Sequence, residues 1–475
     1  MTRRVSLEYG DRRVDTELPD GAVVVGPDLG HIEPPPLADP AATTRAAIRS
    51  PLGMAPIPEL VKSGSLVTIA VPDRVKGGAH VTAHRRVTLP IVLDELALGG
   101  VRPADITVVC AIGLHRKNRR DELEGFLGTE TLDRLPPANV INHDAEDPEG
   151  ILALDPSDHG DVVEVNRRVL ESDLTILVSH AAGNPYGGFS GGYKMPSTGL
   201  TTWRSIRCHH SPRSMYRDDF VPISTGSHFR DQLRAIGQRI ESAMPLPFFT
   251  IDAVLNSRAE QLGVFAGTIP DVERASWPLA TARTDMTVPG EPADVLIIGM
   301  PRSFHYGNGM GSNPILLMQA IGASLARAKQ ALRPHPVVIA ASVCDGWFNE
   351  HEFPCYQAVY DLLQTVDRPA DMVAFEDEVA SDPEWIYRYR FGGGYHPFHP
   401  FSMLYMGGLA RELAAAVYVA GAKSPGHARG MGAIPVPTVE AGLEEAVRHV
   451  GREPKVLVVP DLSKPAFHLT AEHQA

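Results

Sequence analysis

Residues Ser65–Asp73 read SLVTIAVPD, an apolar run rich in β-branched residues that stops on a proline and an acid. Such a run marks a strand buried on both faces, as strands of parallel sheets are. Working outward, the same unit repeats. LPIVLDELALGGV (Leu89–Val101) has the spacing of an amphipathic helix closed by glycines. DITVVCAIG (Asp105–Gly113) is a second strand that ends just before His115, and DLTILVSH (Asp173–His180) is a third that ends on His180. Alternation of strand and helix predicts an α/β fold with a mostly parallel sheet and helices on its faces. Ligands of such sheets gather beyond the carboxyl ends of the strands, at a topological switch point. Asp73, His115 and His180 share that placement, which unrelated surface residues have no reason to do.

The rhythm weakens around Phe265–Val288, and PGEPAD (Pro289–Asp294) reads as a boundary. A second series follows. VLIIGMP (Val295–Pro301) and PVVIAASVCDGW (Pro336–Trp347) are strands, and NPILLMQAIGASLARAKQAL (Asn313–Leu332) is a helix, as is SMLYMGGLARELAAAVYVAG (Ser402–Gly421). The expectation is two α/β domains, residues 1–285 and a smaller unit at 286–475, with the active site in the cleft between them. VSLEYG (Val5–Gly10) and AVVVG (Ala22–Gly26) read as short strands of a small antiparallel element. HIEPPPLADP (His31–Pro40) is a connection, and a late strand, KVLVVPDL (Lys455–Leu462), is open to joining either sheet.

Composition narrows the function classes. Lys and Arg total 44 against 57 Asp and Glu, a net charge of −13, which argues against nucleic acid or anionic lipid as a partner. HRKNRR (His115–Arg120) is a local basic cluster that could attract a small anion. The four cysteines lie without CxxC spacing, as expected in a reducing cytoplasm. The amino terminus lacks the apolar core of a signal peptide, and no run has the ~20 apolar residues of a membrane span, so a cytoplasmic protein is expected.

Chemistry concentrates in VSHAAGNPYGGFSGGYKMPSTG (Val178–Gly199) and CHHSP (Cys208–Pro212). A P-loop needs glycine before its lysine and a hydroxyl after it, whereas Lys194 stands between Tyr193 and Met195. The dinucleotide fingerprint GxGxxG is also missing. Read alone, the segment is a mobile loop, or glycines that bring backbone N–H groups to a phosphate or a flat ring.

Taken together, Asp73, GLHR at one strand end, SH at the next, FSGG-x-K and a histidine 16 residues past the lysine resemble the lactate racemase family, from about Val67 to Pro212. The resemblance implies a nickel-pincer nucleotide (a pyridinium mononucleotide with two sulfur arms) bound covalently to Lys194, with Ser190, Gly191, Gly192 and Asp73 as cofactor contacts. It also implies an imidazole on the nickel, His210 by count, or His209 if the count slips by one. The family's catalytic histidines match His115 and His180. Removing the C2 hydrogen of a 2-hydroxy acid as a proton would build a dianion; hydride transfer, with a base taking the hydroxyl proton, avoids it. Opposite enantiomers present their hydroxyls in different directions, so two histidines, one on each side, suit a racemase.

This chain departs from the family at several points. Lys76 stands where the family has an arginine for the substrate carboxylate, unless Arg74 takes that contact. GNPYGG (Gly183–Gly188) looks like a four-residue insertion that could bring Tyr186 to the pocket. The family's second-domain contacts do not map one for one; His305, Asn308 and Asn313 are candidates, and CDGWFNEHEF (Cys344–Phe353) resembles the family's segment there. His396 and His399, in RFGGGYHPFHPF, read as structural. The expected activity is racemisation or epimerisation at C2 of a 2-hydroxy acid larger than lactate, by a cytoplasmic isomerase served by cofactor-maturation enzymes. A non-catalytic ligand- or metal-binding protein on this scaffold, or a nucleotide-dependent oxidoreductase, are the alternatives.

Overall fold

The strand at the centre of that reading is Val67–Val71, every residue of it buried. In the computed structural model, which describes residues 2–26, 29, 33–462 and 468–471, it lies inside a six-stranded sheet. The order is Gln261–Gly267, Phe249–Leu255, Leu174–Ala181, Val67–Val71, Ile106–Cys110, Val140–Asn142. All neighbours are parallel except the first pair. Chain order runs outward in both directions from the gap between Val67–Val71 and Leu174–Ala181, which makes that gap the switch point. The two helical layers bury the sheet on both faces, which is why its strands are uniformly apolar and not alternating. The helix read from LPIVLDELALGGV begins earlier than that stretch suggests, at His84, and runs to Leu98 with Pro90 inside it.

The second sheet is built on Ala293–Pro301, which pairs in parallel with Leu332–Ala341, with Val456–Val459 and, at its end, with Thr2–Gly10. Ala416–Ala420 and Ile434–Val436 extend it. Two expectations are corrected here. Thr2–Gly10 and Arg12–Pro19 do form an antiparallel hairpin, but it adds to the second sheet, and Val23–Val24 pairs with Val456–Val459. Residues 2–24 therefore belong with the second unit and not with residues 33–285, and the late strand joins the second sheet as well. SMLYMGGLARELAAAVYVAG is not one helix: a helix over His399–Leu413 gives way to the strand Ala416–Ala420. Val417 and Val419, β-branched and buried, fit a pleated sheet better than a helix, and pairing with Leu332–Ala341 overrides the helical propensity of the alanines.

The largest apolar cluster draws on both units. Leu114, Trp203, Ile206 and Phe229 of the first pack with Ile315, Met318, Phe398 and Leu404 of the second. No helix of the described residues is long and apolar enough to cross a membrane.

Candidate active site

Asp73 and His180 flank the switch point, and His115 follows the next strand. Arg85, 1% exposed, ties down the loop after the first strand by donating to the carbonyls of Pro72 at 2.8 Å, Gly78 at 2.8 Å and Asp73. Two glycines bring the lysine loop against these strand ends. Gly113 has φ +54°, and a Cβ on it would lie 2.5 Å from the Thr198 carbonyl oxygen, while its N–H donates to Gly199 at 3.0 Å. Gly191 has φ +76°, and a Cβ there would meet the Asp252 carboxylate at 2.5 Å and the His180 carbonyl at 2.9 Å. A side chain at either position would push Lys194 away from the histidines.

A recess of about 100 Å³ adjoins a chamber of about 530 Å³, and Lys76, His115, His180, Lys194 and His210 lie on the walls of both. Ser190, Gly191 and Asp73 also line the recess. The second unit supplies Tyr306, His399 and Ser402 to the recess and His305, Gln319 and Arg327 to the chamber.

Lys194 is 8% exposed, with no carboxylate in ion-pair range among the described residues. Its ammonium position lies over the rings of Tyr186 at 5.2 Å and Phe229 at 5.4 Å. Burial, helped by Lys76 and Arg230, holds its pKa well below the usual lysine range, so the amine is disposed to be neutral and nucleophilic.

His210 Nδ1 lies 2.6 Å from His209 Nδ1, and His209 Nε2 lies 3.4 Å from the Ser197 carbonyl oxygen. Burial keeps both rings neutral, His209 at about 3 and His210 well below its ordinary value. A carbonyl only accepts, so His209 donates from Nε2 and accepts at Nδ1 from His210. That leaves Nε2 of His210, the ring on the cavity wall, as a bare lone pair. His209 is fully buried behind it and lines neither space.

His115 and His180 differ. His115 Nδ1 meets Asp73 Oδ2 at 2.6 Å. Burial alone would raise the Asp73 pKa, but His115, Lys76 and Arg85 more than reverse this and hold it below the usual carboxylate range. His180 has no carboxylate partner among the described residues, and burial, with Lys76, His84 and Arg85, pushes it down to about 3. Asp73 thus orients a histidine, a role the sequence reading did not give it.

Other assignments change too. Arg74 does not line the cavity; it lies 3.8 Å from Glu122 and 3.7 Å from Glu352, a carboxylate pair that draws it from the substrate space. Gly192 is off the wall as well, because its N–H is committed to Asp252 at 3.1 Å. Asn313 caps the helix Pro314–Ala328 by accepting from Ile315 and Leu316, and Asn308 is exposed on the short strand Gly307–Asn308. His305 does reach the chamber. His396 is structural, held by Glu146 at 2.9 Å, but His399 is on the recess wall. Its ring centre is 5.5 Å from that of His115, its Nδ1 is 2.7 Å from the Tyr356 hydroxyl, and its buried Nε2 has no partner. Tyr186, from the insertion, does enter the chamber and lies 5.2 Å from the His210 ring. Arg327 and Gln319 escaped the sequence reading; their one signal is a spacing of eight in an apolar helix, two polar residues on the same face.

No group of three or more His, Cys, Asp or Glu among the described residues could hold a metal. A metal at His210 would therefore depend on donors from a bound organic group. One unpaired amine and one lone-pair imidazole on a shared wall suit such a group, as tether and as ligand.

Comparison with known proteins shows what the chain as a whole is similar to. Residues 9–219 match the lactate racemase N-terminal domain family. The lactate racemase of Thermoanaerobacterium thermosaccharolyticum is 22% identical over 321 residues, 65% of this chain and 69% of that protein. That of Lactiplantibacillus plantarum is 22% identical over 342 residues, 72% and 73% of the two chains. The lactate racemase apoprotein structure from T. thermosaccharolyticum superposes with a TM-score of 0.71 over 99% of this chain and 100% of that one, at 18% identity. A Thermotoga maritima protein follows at a TM-score of 0.53 and 13% identity, covering 93% and 100%. Residues 9–219 thus match the lactate racemase N-terminal domain family, and the chain is similar to lactate racemases, which are isomerases, over about two thirds of its length and shares the fold of one.

Proposed function

We propose that this chain is a racemase or epimerase acting at C2 of a 2-hydroxy acid, by reversible hydride transfer with a nickel-pincer nucleotide held on Lys194. The observation that carries this reading is the convergence of one neutral amine and three imidazoles, distant in sequence, on one cavity at the strand ends. Lys194 would tether the nucleotide, and His210, through Nε2, would hold its nickel; when bound, the group would supply hydride-accepting and hydride-donating chemistry next to C2.

The chain's own residues do the rest. Lys76 holds the substrate carboxylate as a point charge. His115 takes the hydroxyl proton of one enantiomer at Nε2 while Asp73 fixes Nδ1 as the protonated nitrogen. His180, neutral through burial, does the same for the other enantiomer. Tyr306 and His399, from the second unit, help close the recess and exclude water. Ser190 and Gly191 make the wall beside the nucleotide. The working protein depends on cofactor-maturation enzymes and acts in the cytoplasm, with no nucleic acid or membrane as partner.

The test is intact mass and metal content of protein from a host that makes the cofactor, followed by chiral analysis of a panel of 2-hydroxy acids. A Lys194 adduct, one nickel per chain and racemisation support the reading; an unmodified, metal-free and inactive protein from that host refutes it.

A further inference from the structure

The chamber has a second charged end that the reading above leaves unused. One face of the helix Pro314–Ala328 forms its wall, with Gln319, Ala320, Ala323, Ser324 and Arg327 turned toward the space. These positions follow the i, i+4, i+8 spacing of a single stripe, small in the middle and polar at both ends. Eight residues of helix separate the ends by about 12 Å. Gln319, 4% exposed, donates to the Tyr186 hydroxyl at 3.4 Å, but its Oε1 has no partner.

Arg327 is the less expected group. Its Nε is buried without a partner, and no carboxylate is in ion-pair range among the described residues. The charges around it are already matched: Arg283 pairs with Glu33 at 3.2 Å, and Asp461, on the chamber wall, pairs with Arg13 at 2.5 Å. Burial, with Arg283 adding to it, lowers the Arg327 pKa to about 10, so it stays charged at neutral pH. Lys76 is a second cation on the same cavity without a carboxylate partner among the described residues, since Asp73 is taken up by His115. Among the described residues the cavity thus holds two separate cations and no free anion. Both side chains are partly buried, and the Arg327 Nε is fully so; a cation withdrawn from water without a counter-charge is costly, so such a pair points to a ligand that brings the counter-charges. The carboxylate of a simple 2-hydroxy acid satisfies only one of them.

We propose that Arg327, with Gln319 beside Tyr186, forms an anion subsite for the end of the substrate remote from its reacting carbon. The substrate is then a 2-hydroxy acid with a second acidic group, a carboxylate or a phosphate. This rests on the racemase reading and deepens it. The planar guanidinium suits either oxyanion; the nucleotide's own phosphate is another source of the same chemistry, and the test separates them.

The test compares wild type, Arg327→Met and Arg327→Lys, all nickel-loaded, on 2-hydroxyglutarate and on 2-hydroxypentanoate, which has the same carbon chain without the second acid. The wild type is expected to prefer the diacid at least tenfold in kcat/KM. Arg327→Met is expected to lose at least tenfold on the diacid and to stay within twofold on the monoacid, and Arg327→Lys to recover part of the loss. In the ligand-free protein Arg327→Met should melt at or above the wild-type temperature, because it removes a cation without a partner. Occupancy of Lys194, read by intact mass, should match the wild type. Lost occupancy would assign Arg327 to the nucleotide phosphate and overturn the proposal. A lower melting temperature with equal losses on both acids would make Arg327 structural and also overturn it. Turnover of both acids alike in all three proteins refutes the subsite and leaves the racemase reading standing, whereas no turnover of any 2-hydroxy acid by loaded wild type removes that reading itself.

Discussion

Replacing Lys194 by Met should make the ligand-free protein more stable, by an amount that grows as pH falls. The swap keeps the length and apolar stem of the side chain and removes only the amine. In the fold that amine is 8% exposed, without an acidic partner among the described residues, and burial holds its pKa well below 10.5. In the unfolded chain it has an ordinary lysine pKa and is protonated at pH 8.5 to 9.5. The unfolded state therefore binds the extra proton, and wild-type stability rises with pH across this window and falls as pH is lowered. The slope is about 1.4 kcal/mol per pH unit, the free energy of one full proton. Lys194→Met has no such proton to lose, so its advantage should widen by about 1.4 kcal/mol between pH 9.5 and 8.5. Changes in packing shift the gap by a constant and leave its slope alone. Urea denaturation of both proteins at several pH values reads this directly. A pH-independent gap would mean that Lys194 is protonated in the fold, and would remove the physical basis for treating it as a nucleophile.

Three further outcomes are expected. His209→Phe, which deletes the acceptor for His210 Nδ1–H but keeps a ring in the buried space, should lower nickel retention of the loaded protein by about 10–100-fold, the range for loss of a partner behind a metal ligand, measured by metal analysis during dialysis against a chelator. Asp73→Ala should lower kcat/KM about 10²–10⁴-fold, the usual contribution of a positioned base, and by the same factor in both directions, because an equilibrium constant of one fixes the ratio of forward to reverse kcat/KM for a racemisation; chiral chromatography of initial rates checks both. Arg74→Ala should leave KM within about twofold while Lys76→Ala raises it at least tenfold, since Lys76 lines the cavity and Arg74 is drawn toward Glu122 and Glu352.

How far the sequence reading reached depended on whether a residue's task is fixed by the strand that carries it. Asp73, His115 and His180 were legible because a buried parallel strand announces itself by composition and its carboxyl end is where ligands gather. Lys194 and His210 were legible through a spaced motif. What failed was whatever depends on contacts distant in sequence. Arg74 reads as a free cation until Glu352, from the other unit, is seen beside it. His399 reads as a turn residue until its ring is found facing His115. Residues 2–24 precede the first sheet in the chain and still add to the second, because pairing follows the exposed edge and not chain order. Arg327 is the sharpest case. Its helix reads as core, and on a core helix an arginine would be expected to find a carboxylate; its lack of one among the described residues is a fact about the surrounding fold and has no sequence signature. On the proposed reading, catalytic groups are thus held at strand ends, where sequence pattern is informative, and substrate choice lies on the facing helix of the other unit, where a polar residue can change without disturbing the chemistry at the strand ends.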